Sequence, residues 1–135
     1  MVEDKNEFVE FKQSLERRTL LFSASVMNVL AKLPYRKTLD NIIFQLSKSA
    51  TSIGANYRES NHSESRADFI HKISIVIKEA NETIYWLDLV ELCEFIAADE
   101  KLQFAPLRKE ANELYALFIT IMRNTRDKYN LTAAK

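Results

Sequence analysis

The sequence predicts an all-α protein, an antiparallel up-down-up-down four-helix bundle forming a single domain over residues 1–135. Three observations predict it. Apolar side chains recur at steps of three and four residues through four long stretches, the spacing that lines one face of a helix. One glycine and two prolines among 135 residues leave few places for turns, and so favour few and long helices. Four amphipathic helices with short connections bury their stripes against one another in a bundle. The helices are expected at about 6–33, 38–59, 65–97 and 104–129.

The first helix carries Phe8, Phe11, Leu15, Thr19, Phe22, Val26, Val29 and Leu33. It should stop near Pro34, because proline disfavours helical geometry in the residue before it and has no N–H to donate. Thr38 is the expected N-cap of the second helix, with Asn41 where a capping box has Glu. That helix repeats its apolar positions as a heptad, Leu39, Ile43, Leu46, Ala50, Ile53 and Tyr57. Gly54 marks a close helix approach or a local bend near its end. The run from Ser60 to Ser65 reads as a turn with His62 in solvent, and Ser65 followed by Asp68 resembles a capping box with the shorter acid. The third seam is Phe69, Ile73, Val76, Ala80, Thr83, Leu87 and Val90. A loop is expected from Ala97 to Phe104, with Pro106 in the first turn of the fourth helix, whose seam is Leu107, Ala111, Leu114, Phe118 and Ile121.

The third helix has more apolar surface than one seam uses. Ile70, Ile77 and Ile84 widen the core face, while Ile75, Tyr85, Leu89 and Leu92 form a second line with Trp86 beside it, interrupted by Lys78 and Glu82. A helix apolar on most sides is buried on most sides, so Ile75, Tyr85, Trp86, Leu89 and Leu92 are the expected oligomer interface. The alternative is that Tyr85 and Trp86 cap the end of the bundle beneath the loop after Ala98.

Hydrophobic residues make up 47% of the chain and charged ones 28%, as in ordinary soluble proteins. Nineteen basic residues balance nineteen acidic ones, but unevenly: residues 68–100 carry two basic and eight acidic, residues 101–135 seven basic and three acidic. Such asymmetry fits complementary packing of neighbouring helices, or a nucleic-acid surface on the basic helix. Net neutrality argues against a strong free-standing nucleic-acid binder. The lone Cys93 excludes an intrachain disulfide. The polar start MVEDKNEF and the lack of a long apolar run predict a soluble, cytoplasmic protein with no membrane partner.

With one glycine, nucleophile elbows, phosphate loops and dinucleotide fingerprints are excluded, since each needs glycine where backbone turns sharply or approaches phosphate. A di-iron bundle needs two Glu-x-x-His pairs and two more inward glutamates; the sequence has one Asp68-x-x-His71 and no second. No catalytic residue, cofactor or metal is expected. Asn56, Arg58, Glu59, Lys78, Glu79 and Glu82 remain as a polar group beside the second and third seams. They read as a half-buried network that fixes the register of the two helices, or alternatively as a ligand site.

The stretch LSKSATSIGANYRESNHSESRADFIHKISIVIKEANETIYWLDLV, Leu46 to Val90, resembles the central block of the four-helix bundle family of the 23S rRNA intervening-sequence proteins. The residues that carry the resemblance are Ser52, Ile53, Gly54, Asn56, Glu59, Phe69, Lys78, Glu79 and Glu82, about a third of the chain being covered. The resemblance implies a bacterial protein of a family most of whose members have no established activity. The family is similar to the accessory (variability determinant) proteins of diversity-generating retroelements, a barrel of five bundles that binds RNA and a reverse transcriptase. It therefore implies a cyclic homopentamer. Those accessory proteins are notably basic, whereas this chain is neutral. The expected function is a non-enzymatic, ring-forming scaffold or partner-binding module. The alternative is an RNA-binding, ribosome- or reverse-transcriptase-associated accessory protein using Arg17, Arg18, Arg108, Lys109, Arg123, Arg126 and Lys128 against phosphates.

Overall fold

Leu15, Thr19, Phe22, Val26 and Leu30 are the buried line of the first helix, at the steps of four, three, four and four that one helical face requires. In the computed structural model, which describes residues 5–133, that helix is α1, Lys5–Ala31. It is followed by a 3₁₀ turn at Lys37–Leu39, then α2, Asp40–Ser60, α3, Arg66–Leu92, and α4, Ala98–Ala133. There is no strand among the described residues. Each helix packs on the next, and α1 also packs on α4, whereas α1 and α3 do not meet. One core runs through all four, with Leu46 and Ile53 of α2, Ile73, Val76 and Leu87 of α3, and Phe104, Leu114 and Phe118 of α4 removed from solvent. Each such aliphatic or aromatic side chain stabilises the fold by roughly 1.5–3 kcal/mol relative to exposure.

Four local expectations change. Leu33 lies beyond α1, which ends at Ala31. Thr38 does not cap α2: it lies within the 3₁₀ turn, and α2 starts behind Leu39 with no side-chain cap. The third connection occupies residues 93–97, not Ala97 to Phe104, because α3 stops at Leu92 with Cys93 extended as its C-cap, and α4 begins at Ala98. The acids decide that start: Asp99 and Glu100 sit in the first turn, where the helix dipole favours negative charge. Glu100 Oε1 also accepts from the Ala97 N–H at 3.4 Å, the back-reaching half of a capping box. Pro106 therefore lies inside α4, and Phe104, expected in the loop, is fully buried.

The joint between α2 and α3 follows its sequence signals. Ser65 is extended and its Oγ accepts the Asp68 N–H at 3.0 Å, while Asp68 Oδ2 accepts the Glu64 N–H at 3.2 Å. The Glu64 N–H, aided by Lys72 at 3.2 Å, holds the Asp68 carboxyl below its ordinary range. Gly54 has no positive φ; its role is closeness. A Cβ built there would lie 3.0 Å from Thr19 Oγ1 and 3.4 Å from the Thr19 carbonyl carbon, so hydrogen is what lets α2 approach α1 at this level.

Candidate functional site

At the end of the molecule where the α2–α3 joint meets the start of α1, Tyr57 is buried with its ring tilted on Phe118 at 5.2 Å between centroids. Burial pushes its phenol up, opposed by a hydrogen bond with Asn61. Asn61 Nδ2 donates to Glu16 Oε1 at 3.3 Å, tying the joint to α1. A cleft of about 770 Å³ opens beside it, walled by Phe8, Phe11, Phe69, Leu117 and Ile121. Phe8 and Phe11, expected in the core seam of α1, are about half exposed there.

The six polar residues expected to form one network are spread out. Asn56 Nδ2 donates to Ser52 O of its own helix at 2.8 Å, Glu82 Oε1 accepts from Trp86 Nε1 at 3.3 Å, and Arg58, Glu59 and Lys78 are exposed. Glu79 is half-buried, and burial, then the neighbouring Glu82, raise its carboxyl. Among the described residues no hydrogen bond joins any two of the six. The buried polar pair that links α2 to α3 is another one: Ser49 Oγ and Thr83 Oγ1, 2.9 Å apart, with Thr83 also bonded to Glu79 O at 2.8 Å. The sequence signal for it was a hydroxyl at a seam position of α3, which needs a partner when buried.

The expected interface residues divide. Tyr85 and Leu92 are exposed, 59% and 77%, whereas Trp86 and Leu89 pack against the core and Ile75 is half-buried. Tyr85 meets the Trp86 ring edge-on at 5.0 Å. The basic residues divide as well. Arg18 is engaged, its guanidinium donating to Glu110 at 2.7 and 2.8 Å and to Glu113 at 2.9 Å. Arg108 reaches across to α3, to Leu87 O and Glu91 at 3.2 Å, with Asp88 3.3 Å away. Part of the acidic-to-basic asymmetry of the chain is thus the α3–α4 contact. Arg17, Lys109, Arg123, Arg126 and Lys128 are exposed.

Among the described residues no three His, Cys, Asp or Glu side chains converge on a metal position. His62 and His71 are exposed, and Cys93 is a half-buried thiol just past α3. Among the described residues no helix is long and apolar enough to cross a membrane.

Residues 12–120 match the family model described as 23S rRNA-intervening sequence protein. The chain is similar to a crystal structure from Bacteroides thetaiotaomicron of a protein of unknown function from the S23 ribosomal protein family. The two are 36% identical over 79% of this chain and 96% of that one, with a TM-score of 0.69. Among curated proteins none matches. The match over most of the chain extends well past the Leu46–Val90 block on both sides, and the chain belongs to the 23S rRNA-intervening sequence protein family.

Proposed function

We propose that the protein is a non-enzymatic scaffold or partner-binding module. It is a single cytoplasmic domain, an antiparallel four-helix bundle, that assembles with copies of itself into a ring, a homopentamer being favoured. The antiparallel arrangement is supported by the order of cross-helix pairs: Arg18 meets Glu110 while Arg36 meets Glu100, and Glu16 meets Asn61 while Ser23 reaches Ala50. The observation that carries assembly is the pair of large apolar side chains, Tyr85 and Leu92, left in solvent on a helix whose other faces are packed. Light scattering at micromolar concentration is expected to report an oligomer, and Tyr85→Glu to dissociate it with helicity intact. A wild-type monomer would end this reading.

A second reading, RNA contact, draws support from Arg123 and Arg126, exposed one turn apart on α4. The family description, which names 23S rRNA, points the same way. Arg18 and Arg108 contribute less to it, since acids already neutralise them. RNA affinity should then fall steeply with salt and weaken in Arg123→Ala/Arg126→Ala; absence of binding at low salt sinks it.

A further inference from the structure

From Thr19 to Ala31, α1 runs for thirteen residues without one charge. At about 100° per residue, Leu20, Ala24, Met27 and Ala31 fall on one line on the side of α1 away from its buried line. All four are exposed, Leu20 by 47% and Met27 by 46%. The outward face of a helix in a bundle ordinarily carries charged and polar residues; here charge stands only at the ends, and Ser25 and Asn28 beside the line are the exposed polar side chains between them. Arg17 precedes it and Lys32 follows it, both exposed.

The exposed end of α3 is its electrostatic counterpart. Around Tyr85 and Leu92 lie Glu82, Asp88, Glu91 and Glu94, with Lys78 two turns before Tyr85 on the same line and Arg108 of α4 bonded to Asp88 and Glu91, so that four carboxylates outweigh two cations. One patch is apolar between cations, the other apolar with a net acidic border. Within one copy the two cannot meet, because α1 and α3 lie diagonally and do not touch.

We propose that the Leu20–Ala31 face of α1 is the surface on which a second copy of this chain seats the Tyr85–Leu92 end of its α3. Ala24 and Ala31 leave hollows between Leu20 and Met27, where large side chains can enter as knobs into holes. Arg17 and Lys32 then face Glu82 and Glu94, the border carboxylates that Arg108 does not hold, so charge sets the register while apolar contact supplies the affinity. The contact is heterologous: every copy offers one α1 face and one α3 end, and repetition gives a closed ring or an open filament according to the rotation. This inference rests on the oligomeric reading above and names its acceptor.

The test uses two blocked chains, Ala24→Glu/Met27→Glu and Tyr85→Glu/Leu92→Glu, followed by light scattering with circular dichroism as the control for folding. Each alone is expected to be monomeric where the wild type assembles. Mixed in equal amounts, they should form a one-to-one dimer and nothing larger, since each supplies the surface the other lacks. Wild-type assembly by the α1-blocked chain, or failure of the two monomers to combine, overturns the proposal. So does assembly of the α3-blocked chain, which would mean that two α1 faces meet. Should the glutamates lower helicity, Leu20→Gln/Met27→Gln carries the same comparison. A monomeric wild type removes the oligomeric reading itself. An oligomer broken only by the α3 substitutions keeps that reading and removes the α1 acceptor.

Discussion

The seam between α2 and α3 is closed by small buried groups, while the seam between α1 and α4 is clamped at its rim over open clefts. On the first, Ala50 and Ala80 are fully buried, and Ser49 and Thr83 bond out of solvent. On the second, Arg18 bridges to Glu110 and Glu113 near the surface. Clefts of about 770 and 570 Å³ run along it, each lined by residues of both helices. The difference shows where the stability of the molecule is concentrated. Apolar burial and buried hydrogen bonds act at full strength in the first seam; exposed ion pairs act weakly in the second.

The largest effect that sharpens this contrast is truncation. Leu46→Ala on α2 or Ile73→Ala on α3, both fully buried, should cost about 2–5 kcal/mol by the lost transfer energy and the cavity left behind. Phe11→Ala, on a side chain already 47% exposed in the wall of the larger cleft, should cost less than about 1 kcal/mol. Urea unfolding midpoints measure both. Equal losses would erase the distinction between the seams.

Next in size is the buried hydroxyl pair. Thr83→Val keeps the shape but leaves Ser49 Oγ with only its long 3.4 Å bond to the Leu46 carbonyl, at a cost of about 1–3 kcal/mol. Ser49→Ala added to Thr83→Val should then cost less than the two single changes taken separately, because the poorly satisfied hydroxyl is gone. Additive losses in that cycle would mean that the pair does not couple α2 to α3.

Gly54 tests a third contact, that of α1 with α2. Alanine gains roughly 1 kcal/mol over glycine as a helix residue. Its Cβ, however, would press on Thr19, which is fully buried and whose Oγ1 is held by the Glu16 carbonyl at 2.9 Å. Overpacking costs about 1–3 kcal/mol, so Gly54→Ala is expected to destabilise by about 1 kcal/mol net. The loss should shrink when Thr19→Ala, which removes the Oγ1 nearest the new Cβ, is combined with it. A stabilised Gly54→Ala would show that α1 moves aside freely.

These contrasts also mark what was legible in the residues. The seam of α3 was readable from Ile73 onward, since a heptad leaves one helical face no other use, and Ile73, Val76, Ala80, Thr83, Leu87 and Val90 are all buried, while Phe69 at its start is partly exposed in the cleft wall. The Ser65 cap was readable because its partner, the Asp68 N–H, is local. The start of α4 was misread because proline was weighed above Asp99 and Glu100, although a helix tolerates one proline inside it when neighbouring contacts compensate. The site residues were less legible because their partners are distant in sequence. Nothing near Arg18 announces Glu110, ninety-two residues on, and nothing near Asn56 announces that its amide bonds its own helix. The back of α1 did carry a signal, thirteen residues without charge, which a search for core seams passes over.

The smallest expected effect belongs to the α1–α4 clamp. Arg18 is 39% exposed and Glu110 28%, so solvent screens their attraction, and Arg18→Gln should cost only about 0.5–1 kcal/mol, less at high salt. Its pH dependence is distinctive. The hydrogen bond from Arg18 holds the Glu110 carboxyl below its ordinary range, so this contribution is present above the unfolded carboxylate pKa and fades as the pH falls through the lower folded value. Glu79 behaves oppositely. Burial raises it, so its contribution is present at low pH and is lost as the pH rises through its folded value. The gap between wild type and Arg18→Gln should therefore close in acid, while the Glu79 contribution changes alike in both. Stability curves against pH, run for the two chains at low and high salt, measure this. A gap that persists in acid would mean that Arg18 acts by packing its stem over the cleft beside Leu21 and Pro106, and that the α1–α4 seam is less dependent on charge than its rim suggests.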